Sequence, residues 1–213
     1  MPSTEISLPA AGLRGVAYIA ALAGLMQSIL LIDAHAATGP NFSELSMTEI
    51  TQAIVLLLCA SSMLYIRQRL RVMPTVTLLL WAFFSASFVR ENDLWLDTYV
   101  FDGAWQALVT LILIPVLFTV LRCRRAFARE FSQISNTFGF GLFAGGFLTT
   151  YVFSRLYGRT ELWQTMMGDG YLRVVKDAAE ELTELIGYTL LLFACIEMVL
   201  LARRLRTPAT NGN

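Results

Sequence analysis

Six apolar segments, at roughly 13–33, 48–67, 74–90, 104–121, 137–154 and 182–202, divide this chain of 213 residues. A helix needs about 20 residues at 1.5 Å rise to cross a hydrocarbon core about 30 Å thick. The first, second and sixth segments reach that length. The third, fourth and fifth sit near the lower limit and borrow flanking residues. Hydrophobic residues make up 56% of the chain and charged residues only 15%, against about a quarter charged in a soluble domain. So much apolar surface must face lipid. The sequence therefore predicts an all-α, polytopic integral membrane protein: a six-transmembrane-helix bundle forming one domain over residues 1–213.

Basic residues set the expected orientation. Arg14, Arg67, Arg69, Arg71, Arg122, Arg124, Arg125, Arg129, Arg203, Arg204 and Arg206 all fall at one side of the spans, 11 of the 16 basic residues. The positive-inside rule assigns that side, and both termini, to the cytoplasm. Of the 16 acids only Glu5, Glu130 and Glu197 fall there. Arginine-rich usage with a single lysine, Lys176, suggests a bacterium and hence its cytoplasmic (inner) membrane. Arg14, the following apolar run and Ala34-His35-Ala36 also resemble a signal peptide with a small-residue cleavage site. The run is longer than a usual h-region, which favours an uncleaved first span.

Local signals agree with this segmentation. Ser46-Met-Thr-Glu49 is a capping-box pattern opening the second helix. Pro74 suits the first turn of the third, and Asp102 an N-cap of the fourth. Pro115 removes a backbone donor in mid-span and predicts a kink. Gly141 and Gly145 form a GxxxG pair, expected to pack against a helix of the same chain before a partner helix. Cys59, Cys123 and Cys195 lack CxxC spacing and are expected as buried, unpaired thiols. The long connection, residues 155–181, predicts a surface helix over 160–167 that turns Leu162, Trp163 and Met166 to lipid. Trp95, Tyr99, Trp105, Tyr151, Tyr157, Trp163 and Tyr171 suit an interfacial aromatic belt.

Charge within or beside apolar helices carries the functional argument, because ionisable groups there are costly and mark sites. Asp177, Glu180 and Glu184 recur at spacings of three and four and share a face of the last helix. Glu181 lies about 100° away, on the shoulder. On the third helix Arg90 lies about 28 Å from Arg71, at the outer boundary. If that helix continues, Asp93 and Asp97 join Arg90 on one face while Glu91 points elsewhere. Arg90 is thus the expected partner of Glu184 or Glu180. The candidate set is Arg90, Glu91, Asp93, Glu180, Glu181 and Glu184, acting as a binding site or an inter-helix clamp.

Three functions fit such a cluster. The first is a non-enzymatic multi-pass protein, a structural or accessory subunit held together by the clamp. The second is small-cation or proton binding and transport, since carboxylates are hard oxygen ligands. The third is a carboxylate–metal intramembrane hydrolase. One histidine, His35, and no GxSxG or HExxH motif argue against the third. No catalytic residue and no resident cofactor are expected, a divalent cation being the one admissible ligand and the metal left open. The bilayer is the expected partner, and neutral net charge gives no reason to expect nucleic acid. Gln27 and Ser28 are expected to bond a neighbouring helix, Glu197 to reach towards Arg203 or Arg204, and His35 to be a plain surface residue, with reach to the outer cluster together with Asp33 as the alternative. No internal repeat supports an inverted-repeat transporter.

Overall fold

The structure is a computed structural model that describes residues 7–35 and 46–206, all of whose regular secondary structure is helical. The order is α1 (Leu8–His35), α2 (Met47–Tyr65) running into a π-helical turn (Ile66–Leu70), α3 (Pro74–Glu91), α4 (Asp93–Tyr99), α5 (Ala104–Arg122) and α6 (Arg124–Ile134). Next come α7 (Phe138–Leu148), a π-helical turn (Thr149–Phe153), α8 (Ser154–Tyr157), α9 (Thr160–Met167) and α10 (Arg173–Arg206). Among the described residues, α1, α2 with its π turn, α5 and α10 are each long and apolar enough to cross a membrane. A fifth span results if α6 and the α7–α8 rod are counted together, although 103° separates their axes. The chain is therefore an all-helical bundle with four to five candidate membrane spans.

α10 is the axis of the bundle. Two thirds of its apolar window (67%) is buried against other helices, against 6% for α1. Tyr188, Leu191, Cys195, Met198 and Leu201 of α10 interlock with Val55, Leu56, Cys59 and Met63 of α2 and with Phe84 of α3. A smaller apolar cluster, Ala82 with Val116 and Val120, seats α5 on α3. Cys59 and Cys195 are buried free thiols as expected, whereas Cys123, at the break between α5 and α6, is exposed.

Glycine sets how near α7 comes to α10, and they are not the glycines of the GxxxG pair. A Cβ on Gly141 or Gly145 would meet nothing within 4 Å. One on Gly139 would lie 2.9 Å from Glu197 Cβ, and one on Gly146 2.8 Å from the Gly187 carbonyl oxygen. The helices approach through Gly139, Gly146 and Gly187, so the expected intramolecular role of Gly141 and Gly145 is corrected.

Carboxylates close several helix ends. Ser46 Oγ accepts from Glu49 N at 3.3 Å, as the capping box predicts. Asp33 adds a second cap, accepting from Met47 N at 3.0 Å and Thr48 N at 3.1 Å. It thereby ties the end of α1 to the start of α2 and takes no part in the outer cluster; the His35 side chain and Ala36, and with them most of the cleavage-site pattern, lie outside the described residues. Pro74 opens α3 as expected, after Arg71 and Met73 reverse the chain at φ of 58° and 48°. Glu130 of α6 then accepts from Thr75 N at 2.7 Å and Val76 N at 2.8 Å. A carboxylate on two orphan N–H groups at a helix N-terminus is stabilising. Glu130→Ala is expected to cost about 1–2 kcal/mol, measurable by denaturant titration in detergent; an unchanged unfolding free energy would show the cap to be dispensable.

Other local expectations are corrected. Gly103, at φ 86°, and not Asp102, occupies the N-cap of α5. Ser28 donates to Gly24 O of its own helix at 2.8 Å, and Gln27 is exposed. The surface helix α9 forms over the expected residues, with Leu162 and Met166 exposed and Trp163 half-buried.

Candidate functional site

α3 stops at Glu91 because the backbone breaks at Asn92, φ −113° and ψ 24°. This break decides which acid enters the site. Glu91 stays on the helix, where Tyr188 O–H donates to its Oε1 at 2.6 Å and Arg90 Nη2 lies 2.5 Å from the same oxygen. Asp93 begins α4, is exposed, and accepts from Leu94 N at 2.7 Å. Asp97 accepts from Gly103 N at 3.1 Å. A continuous helix would have put Asp93 and Asp97 with Arg90 and Glu91 outside. The structure reverses that assignment and brings together Arg90, Glu91, Glu180, Glu181 and Glu184, with Asp93 excluded.

Glu184 is the centre. It is 3% exposed and reaches both arginines: Arg155 Nη2 is paired with its Oε1, and Arg90 Nη2 lies 3.9 Å from its Oε2. Ser154 O–H donates to it at 3.2 Å. Arg155 also spans to Glu180 Oε1 at 3.1 Å, while Lys176 Nζ holds Glu180 Oε2 at 3.0 Å. Lys176 further pairs with Asp177 at 2.9 Å. Glu181 takes no ion pair among the described residues. Its Oε2 and backbone carbonyl accept from Gln52 Nε2 at 3.1 and 3.0 Å.

Arg155 and Gln52 went unforeseen in the sequence. Arg155 directly follows the fifth apolar segment, so its position at the outer boundary was the available signal. Gln52 had none, being one amide among the apolar residues of α2. An aromatic lining completes the site on the bundle side. Tyr151 O–H and Ser87 O–H share a hydrogen bond of 2.6 Å. Tyr151 stacks at an angle against Phe147 and meets Tyr188 edge-on at a centroid distance of 6.4 Å. Tyr151 thus belongs to the interior and not to an interfacial belt.

Helix directions put this network at one end of the bundle. It gathers the first turns of α2, the last turns of α3 and α8, and the first half of α10. At the opposite end Glu197, 5% exposed, pairs with Arg14 at 2.9 Å and accepts from Tyr18 O–H at 2.7 Å. This replaces the expected reach towards Arg203 or Arg204, and it is how a loosely packed α1 is fastened to α10. Arg206 donates to Arg69 O at 3.2 Å on the same side.

Electrostatically the cluster is dense and internally matched. Two guanidiniums and an ammonium face Glu91, Glu180, Glu184 and Asp177 across three helical elements, α3, α8 and α10. Among the described residues no three His, Cys, Asp or Glu side chains are disposed to share a metal ion. Among the described residues two buried side-chain polar atoms lack a partner, Arg90 Nε and Gln52 Oε1. Comparisons with protein-family models, with curated proteins and with solved structures gave no match.

Proposed function

We propose that the chain is a non-enzymatic six-span protein of a bacterial inner membrane, a structural or accessory subunit whose acidic cluster is an extracytoplasmic inter-helix clamp. The carrying observation is the pairing itself: Glu91, Glu180 and Glu184 each meet a protein cation, and Glu180 and Glu184 of α10 do so across helices, through Arg155 of α8 and, for Glu184, Arg90 of α3 as well. Oxygens already filled by guanidinium N–H groups offer few lone pairs to a metal. The six spans are α1, α2, α3, α5, the α7–α8 rod and α10. α3 with 18 residues spans about 27 Å, and Phe138–Tyr157 with 20 about 30 Å, enough to cross with modest adjustment of the bilayer. Both ends of the described chain lie beside the basic junctions, in keeping with cytoplasmic termini. An accessory role gives the free Gly141–Gly145 face a use, contact with a partner helix.

A second reading, proton or small-cation carriage, is favoured by Glu181, a half-buried carboxylate held by an amide and not by a cation. Metal analysis and thermal unfolding of the purified protein, with Glu181→Gln and Glu184→Gln, separate the two. The clamp predicts a lower midpoint for Glu184→Gln and no change in metal content in either variant. A one-to-one divalent ion lost on substituting either glutamate would move the assignment to cation binding.

A further inference from the structure

α6 separates its residues into two faces. Ile134 is buried and Phe127 packs against both apolar clusters, while Phe131 stacks on Phe127 at 5.8 Å. Turning about 100° per residue from Phe127, Arg125 and Arg129 each fall about 20° from the opposite direction. Both are exposed, as are Arg122 and Arg124. Glu130, the one acid of this helix, is turned inward as the cap of α3. Among the described residues none of these four arginines has an ion-pair partner. Like charges one turn apart are unfavourable on an isolated helix, so this face calls for external anions.

Orientation narrows which anions. The α6 axis lies 103° from the α7–α8 rod, so a helix attached to a membrane-crossing rod runs along the membrane surface. Phe131, 38% exposed, marks its apolar flank. A basic face above an apolar flank is the arrangement of interfacial helices on anionic lipid. Guanidinium forks match phosphodiester oxygens in pairs.

We infer that α6 is a surface-lying helix that binds the headgroups of anionic phospholipids through Arg125 and Arg129, with Arg122 and Arg124 at the rim. This deepens the proposed function and rests on its membrane-embedded bundle.

The test is a lipid titration of the purified full chain in neutral detergent, with thermal unfolding as the readout. Phosphatidylglycerol is expected to raise the midpoint at lower concentration than phosphatidylcholine, an advantage that shrinks in high salt. R125Q/R129Q, which leaves Phe127, Glu130 and Ile134 in place, should need about tenfold more phosphatidylglycerol for the same effect, each surface arginine contributing severalfold. Glu184→Gln should keep the response despite a lower starting midpoint, so that failure of the clamp is read separately. Equal action of the two lipids, an unaltered response of R125Q/R129Q, or reproduction of the effect by inorganic phosphate would each overturn the inference. Release of the chain from membranes by alkaline carbonate would remove the bundle reading and this inference with it.

Discussion

Gly187→Val is expected to unfold the half of the bundle that holds the carboxylate cluster, whereas alanine at Gly141 and Gly145 should be tolerated. At Gly187 an added Cβ runs into Thr150 Oγ1 and lies 2.7 Å from Thr150 N and 2.9 Å from Gly146 O. Two of those three atoms are backbone and cannot turn aside, so α10 must separate from the α7–α8 rod. Overpacking of this kind costs about 1–3 kcal/mol for one methyl group and more for a branched side chain. Gly146 and Gly187 face one another, so the separation would also pull Glu184, one turn before Gly187, away from Ser154 and Arg155. Thr150 O–H, 3.5 Å from Glu184 O, would be displaced too. At Gly141 and Gly145 a methyl group meets nothing within 4 Å, and relief of glycine's backbone entropy in a helix is worth up to about 1 kcal/mol. Thermal unfolding of the three variants in one detergent checks the contrast. A stable Gly187→Val, or a damaging Gly141→Ala within the monomer, would mean that the two glycine faces have been exchanged.

The same two faces show where sequence reading stops. Apolar length made the helical bundle legible, because it follows from the cost of exposing backbone polar groups to lipid. The row Asp177, Glu180, Glu184 was legible as a face because helical periodicity is local. What could not be read was depth and rotation between helices. A GxxxG spacing says that two glycines share a side of a helix, not that the side faces inward; Gly139 and Gly146 share another. The swap of Glu91 for Asp93 had a similar origin. Asn92 interrupts α3 by a backbone angle that leaves no periodic trace, and it separates Glu91, which enters the cluster, from Asp93, which is exposed on α4. Arg155 escaped for a different reason. Its position in the sequence is that of the loop, although a cation at the last turn of a span can reach back into the site. Glu197 was matched to its nearest neighbours in sequence, when the available partner, Arg14, lay 183 residues away.

Arg155→Met is expected to be the most damaging change in the charge cluster, and its cost and that of Glu184→Gln to combine less than additively. Glu184 is 3% exposed, whereas the Arg155 side chain is nearly half exposed (47%). The asymmetry matters: the carboxylate is the desolvated member, and the arginine reaches it from a wetter rim. Removing the cation leaves Glu184 with Ser154 and with Arg90 at 3.9 Å, too far for a close hydrogen bond. A buried charge stripped of its close partner costs about 3 kcal/mol or more. It also releases Glu180 to Lys176 alone. Glu184→Gln by itself should cost less, about 1–2 kcal/mol, because Arg155 keeps Glu180 and the amide oxygen still accepts. In the double variant the buried charge is gone, so the loss should fall short of the sum by about 1–2 kcal/mol. Denaturant unfolding of the four proteins in the cycle measures this coupling. Strict additivity would show that Arg155 and Glu184 stand close without acting on each other, and the clamp would then have to rest on Arg90, Glu91 and Tyr188.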